Sequence, residues 1–209
     1  MRPRTHDAIN DSSNAWPTRA APHRKSRVTS QEAGEQGYHA FYYLLAASKG
    51  GKLGGALGEQ LGLGEGPFRL LNASALPPTE FDRGFDKTQE ALTALLGSAE
   101  ATQPFWRTVG GLLHLGQVEF EEVPQADDDP GSNVSGESMA AIKKVAALWG
   151  CTEKAVCRAL TTRKIQAGAE TCEILKTPAQ AASSRDALAK ACYEKVFDQL
   201  LKECNAVLR

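Results

Sequence analysis

The sequence predicts a mainly α fold: a helical subdomain with one or two short β-strands or a hairpin, and a long C-terminal helix. Three observations carry this. Apolar residues recur at helical spacing from about residue 30 onward, as in Tyr38, Phe41, Tyr42 and Leu45 at i, i+3, i+4 and i+7. Start and stop residues bracket these stretches: Gly97 and Gly150 as C-terminal caps, Thr152 as an N-cap, Pro178 in a first turn. Alternation of period two is confined to a few residues, which is too little for a large sheet.

The first helix starts loosely, with Ser30, Gly34 and Gly37 before the Tyr38–Leu45 face. Lys52 to Leu61 keeps Leu53 and Leu57 on helical spacing but is diluted by glycine. Residues 62–80, with Asn72 and the Pro77-Pro78 pair, read as loop. Phe81, Phe85, Leu92, Leu95 and Leu96 line a second helix that Gly97 closes. A third runs from near Ser98 through Phe105, Val109, Leu112 and Leu113 to Gly116. Val118, Phe120 and Val123 alternate with Glu119 and Glu121, a short half-buried strand. Residues 124–137, containing Asp127-Asp128-Asp129-Pro130-Gly131, read as a solvated mobile loop.

Met139, Ile142, Val145 and Leu148 make the next helix, ended by Gly150. Thr152 opens another that buries Val156 and Leu160. Between 162 and 176, Ile165, Cys172, Ile174 and Leu175 flank Gly168, which fits a β-hairpin or an ordered loop. The last helix, Pro178 to about Leu208, is the longest. Its apolar stripe is Tyr193, Phe197, Leu200, Leu201, Cys204 and Leu208. Asp186, Lys190, Glu194, Asp198 and Lys202 follow one another at i+4 on the other side, mostly as favourable pairs.

Composition narrows the function classes. Of 209 residues, 42% are hydrophobic, and with the 19 glycines this is the globular range rather than a disordered one. A net charge of −1 argues against a nucleic-acid binder that works by bulk charge. No apolar run reaches the length of a membrane span. The charge is uneven: residues 1–27 carry +4 and the rest −5. Residues 1–25, with three prolines and few aliphatic side chains, read as a disordered basic leader. Five cysteines, an odd number without a Cys-x-x-Cys pair, fit a reduced cytoplasmic setting.

Generic chemical motifs are sparse. No strand precedes Gly50-Gly51-Lys52-Leu53-Gly54-Gly55, so this stretch reads as a turn rather than a phosphate cradle. His6, His23, His39 and His114 have no metal-ligand spacing, and His114 among leucines reads as a core histidine. Asp127–Asp129 lacks the glycine and glutamate of a calcium loop. The sequons at Asn72 and Asn133 carry no meaning in a cytosolic chain. The residues alone define a mostly helical chain with no visible active site.

Several segments nevertheless resemble one family, in the right order. Lys25-Ser26-Arg27-Val28, then Gly34-Glu35-Gln36-Gly37-Tyr38-His39-Ala40-Phe41-Tyr42, resemble the K-S-R-V and G-E-R-N-Y-H-I-F-Y runs of the myosin motor head. Leu71-Asn72-Ala73-Ser74 is similar to its Leu-Asn-x-Ser. Leu113-His114-Leu115-Gly116-Gln117-Val118-Glu119-Phe120 is similar to its L-H-L-G-N-x-x-F. Arg185-Asp186-Ala187-Leu188-Ala189-Lys190 matches its R-D-A-L-A-K in full, and Val196-Phe197, Leu200-Leu201 and Asn205 resemble the helix that follows. Gln36, Gly37 and Gln117 depart from the family's arginine, asparagine and asparagine, as in a divergent member.

The resemblance implies that residues 26–209 are a partial motor-head domain, the upper part of its fifty-kilodalton region, with 118–123 and 163–180 reaching the actin side. It implies a family function of ATP-driven movement on actin, with actin filaments and the rest of a motor head as partners and the cytoskeleton as location. Mg-ATP is the cofactor expected of the intact domain. None is expected for this chain, because no counterpart of the phosphate loop or the D-x-x-G-F-E switch is recognised in it. Asn10-Asp11-Ser12-Ser13 only faintly resembles the first switch. Two other readings stand beside this one: a non-catalytic helical actin- or protein-binding module, and a truncated, non-functional product. Separated from a central sheet, the faces bearing Phe41, Leu45, Phe197 and Leu201 are expected to be partly uncovered.

The resemblance also singles out Glu170 as a candidate actin contact. It lies sixteen residues before Asp186, the family's regulatory spacing, where an acidic or phosphorylatable residue is typical. The plainer alternative is a solvated surface charge.

Overall fold

A helical stretch that is apolar all round belongs in the interior, and one such stretch, the second half of a helix, organises this chain. In the computed structural model, which describes residues 26–208 except 33–34, 65–66, 72–77, 126–129 and 168–169, the elements are α1 (His39–Lys49), α2 (Gly55–Leu61), α3 (Pro78–Leu96), α4 (Gln103–Gly116), β1 (Phe120–Val123), β2 (Gly131–Val134), α5 (Met139–Trp149), α6 (Glu153–Thr161), β3 (Thr162–Ala167), β4 (Glu170–Leu175) and α7 (Pro178–Val207). Helix α4 is the central one. Its residues 109–116 are all buried, with Trp106, Val109, Leu112, Leu113 and Leu115 fully so. Helices α1, α2, α5 and α7 pack around it.

The close packing rests on a pair of glycines. A Cβ on Gly111 would sit 2.1 Å from the indole Nε1 of Trp149, and one on Gly110 would sit 2.3 Å from Leu61 Cδ2. Glycine costs a helix interior about 1 kcal/mol relative to alanine. Here that cost is offset by letting α5 and α2 approach the α4 backbone. One polar set inside the core is paired within itself: Trp106 Nε1 donates to Gln89 Oε1 at 2.7 Å, and Gln89 Nε2 donates to Thr102 Oγ1 at 2.9 Å.

Several local signals act as the sequence indicates. Gly97 and Gly150 adopt positive φ, 86° and 66°, and end α3 and α5. Ser98 Oγ accepts from the Ala101 amide, and Thr152 Oγ1 accepts from the Ala155 amide at 3.2 Å. Helix α7, 30 residues long, opens with a capping box in which Thr177 and Gln180 satisfy each other's backbone amides. Strands β3 and β4 pair antiparallel as the two arms of a β-hairpin.

Other expectations need correction. The 62–80 loop ends early, because α3 begins at Pro78, a residue whose fixed φ suits a first helical turn. The 124–137 segment is not all loop. Residues Gly131–Val134 pair antiparallel with β1, from Phe120↔Val134 to Val123↔Gly131. The expected uncovered face forms only in part. Phe41 is fully buried, with its ring 5.5 Å from that of Tyr193, and Tyr38 stacks on Tyr193 at 4.3 Å. Leu201 is buried and Leu45 half-buried, leaving Phe197 as the exposed member of the four. Helix α7 also buries a charge, Arg185, that its apolar stripe does not foretell. The leader 1–25, Asn10–Ser13, Asn72 and Asp127–Asp129 lie outside the described residues.

Candidate interaction site

The hairpin is built where a helix stops without a loop. Thr161 and Thr162 are β-branched. Thr162 leaves helical geometry for an extended conformation (φ −119°, ψ 154°), and its hydroxyl donates back to Arg158 O at 2.8 Å. Strand β3 therefore continues directly from α6. It pairs with β4 in register from Thr162↔Leu175 to Ala167↔Glu170, which leaves a two-residue connection, Gly168-Ala169. Pro178 then starts α7, so the hairpin is held between two helices.

Glu170 is the first residue of β4 and is exposed. Arg163, Lys164, Glu173 and Cys172 are also exposed, so the hairpin presents mixed charge to solvent. Along one face Lys164 lies opposite Glu173. Glu173 also accepts from Arg158, with Nε to Oε2 at 2.8 Å and a second bond from Nη2 to Oε1. That guanidinium holds the Glu173 carboxyl below the usual carboxylate range.

At the root stands Lys176. Its Nζ donates to Ala159 O and Leu160 O, both at 3.1 Å, and its amide donates to Thr161 O at 2.7 Å. Its carbonyl accepts from Ser132 Oγ on β2 at 2.8 Å. Burial lowers the Lys176 ammonium from its ordinary value. Neither Lys176 nor the Arg158–Glu173 pair stands out in the sequence; their signal lies in which elements come together.

The remaining sequence candidates are structural. His114 is buried and donates from Nε2 to Leu61 O at 2.7 Å, with the Phe68 ring edge-on to it. Burial lowers its pKa, and nearby Lys144 adds to this against the backbone hydrogen bond. Residues 50–55 link α1 to α2 through positive-φ glycines at 51 and 55, and Lys52 is paired with Asp86 at 2.6 Å. No strand leads into this turn, α2 has only 7 residues, and the lysine is engaged, so these residues do not fit the phosphates of a nucleotide. Asn133 is an exposed β2 residue opposite Glu121. Among the described residues no group of three or more His, Cys, Asp or Glu side chains is placed to hold a metal ion, and no helix is long and apolar enough to cross a membrane.

The family profile described as myosin head (motor domain) matches residues 23–209. Among curated proteins, the chain is 32% identical over 184 residues to unconventional myosin ID of Drosophila melanogaster, a match covering 88% of this chain and 17% of that protein. It is 33% identical over 185 residues to Myosin-13 of Arabidopsis thaliana, covering 87% and 12%. It is 27% identical over 196 residues to myosin IF heavy chain of Dictyostelium discoideum, covering 88% and 17%. The chain thus spans less than a fifth of the length of these relatives.

Proposed function

Because the chain belongs to the myosin head (motor domain) family, we propose that it forms an actin-facing part of such a head, the upper part of its fifty-kilodalton region. One observation carries this reading. The β3–β4 hairpin stands exposed immediately before the R-D-A-L-A-K helix, with Glu170 the first residue of β4 and sixteen residues before Asp186. Its function is to supply contact with actin filaments, alongside the rest of a motor head, at the cytoskeleton. Glu170 acts there as a fixed negative charge where a phosphate would otherwise be added, so no modification is needed. Its effect is long-range charge complementarity, which speeds and orients association and fades with salt.

In the intact family domain Mg-ATP drives the motor cycle. Residues 50–55 do not fit its phosphates, with Lys52 engaged by Asp86. A chain acting only as a filament contact binds actin without hydrolysing ATP.

Co-sedimentation of the 209-residue chain with actin filaments tests the reading. Binding at low salt that weakens toward physiological ionic strength supports it. Absence of binding at low salt counts against it. Calorimetry with Mg-ATP is the second arm, and micromolar binding would overturn the assignment of residues 50–55 as a turn.

A further inference from the structure

The hairpin carrying Glu170 is long relative to its base. A six-residue strand extends about 20 Å, so a tilt of about 10° at the root moves the tip by about 3.5 Å. That displacement exceeds hydrogen-bond reach. Whatever holds the root therefore decides where the tip points.

We propose that Lys176 is the positioning residue that fixes the direction in which the hairpin leaves the body, and thereby how its tip meets a filament. The second half of this statement rests on the actin-facing reading above.

Four hydrogen bonds converge on this one residue. The Nζ donates to Ala159 O and Leu160 O, carbonyls of the last turn of α6 that have no partner further along the helix. A cation there also meets the negative end of the helix dipole. The amide of Lys176 donates to Thr161 O, and its carbonyl accepts from Ser132 Oγ, which is fully buried on β2. Lys176 therefore ties three elements together between the last residue of β4 and the N-cap of α7: the α6 terminus, the β1–β2 ribbon and the hairpin root.

The other tie from α6 is weaker. The Arg158–Glu173 pair lies in solvent, where an ion pair contributes little and salt screens it. Its two bonds steady one face of the hairpin, whereas those of Lys176 set its base. Removing the ammonium leaves two helix-terminal carbonyls without a donor, so the α6 terminus and the hairpin root loosen together.

The test compares the full chain with its Lys176→Met variant, which keeps the length and apolar stem of the side chain. Amide hydrogen exchange should accelerate at least tenfold across residues 163–175 while α4 is unchanged. Affinity for actin filaments at low salt should fall about three- to tenfold. Unchanged hairpin exchange, or acceleration that is equal in α4, overturns the clasp. Local acceleration with undiminished filament affinity overturns the positioning role. Failure of the unsubstituted chain to bind filaments defeats the actin-facing reading instead, and the exchange comparison still decides whether Lys176 holds the root.

Discussion

Arg185 donates from Nη1 to the backbone carbonyl of Val118 at 2.6 Å, across 67 positions of sequence. The guanidinium is 1% exposed. Its Nε donates to Asp186 Oδ1 at 2.9 Å, and Glu119, itself paired with Arg69, lies 3.7 Å from Nη1. The carbonyl it meets belongs to the chain leaving α4 for β1, where no helical partner exists. The long helix is thus joined by a buried cation to the chain just beyond the central helix.

Truncating that cation leaves Val118 O buried without a donor. Arg185→Met is expected to destabilise the chain by about 2–4 kcal/mol, the range for breaking a buried charged hydrogen bond. Urea unfolding measures it, and a loss under about 1 kcal/mol would show that the contact is dispensable.

His114 makes stability depend on pH. Burial lowers its native pKa below the ordinary 6.5, so the unfolded chain binds the proton more readily. The His114 contribution is full above about pH 6.5 and is lost as the pH falls from there toward the lowered native value. The urea midpoint should drop between pH 7.5 and 5.5, and His114→Gln should flatten that drop. An equal pH slope in both proteins would remove His114 as the cause.

Gly111→Ala tests whether close approach outweighs helix propensity. Propensity alone favours alanine by about 1 kcal/mol. The added Cβ would stand 2.1 Å from Trp149 Nε1, a flat ring that cannot fold away. A net loss of about 1–3 kcal/mol is expected from overpacking. Thermal melting reads the sign, and a stabilised variant would refute the packing account.

The capping box at the start of α7 is a local prediction. Thr177→Ala removes the acceptor for the Gln180 amide, 3.3 Å away, and should cost about 1 kcal/mol. Exchange should quicken in the first turn of α7 and not around Leu201.

Glu170→Ala separates the functional reading of that carboxylate from the plain one. Glu170 is exposed, so the fold and melting temperature should not change. Filament binding at low salt should weaken several-fold, with the difference shrinking as salt rises. Equal binding at low salt would leave Glu170 as one more solvated charge.

The sequence by itself determined the helices of the second half of the chain, because their signals lie within one turn of where they act. Gly150 takes the left-handed conformation that ends α5, Thr152 caps α6 through its own side chain, and Pro178 follows the capping Thr177. The core place of His114 was equally readable, since a histidine among leucines must be buried and its ring nitrogen satisfied. What the tertiary structure alone decided involves partners far apart in the chain. Gly131–Val134 has little apolar alternation and becomes a strand because β1 offers its edge and Lys176 O, 44 positions away, accepts from Ser132. Gly110 and Gly111 look like weak points in a helix until α2 and α5 press against them. Nothing local to Arg185 marks it for burial; only the packed fold brings Val118 O to it. Caps and periodicity act over about four residues and are written locally, whereas burial of a polar group is settled only when the packed fold brings its partner within hydrogen-bond distance.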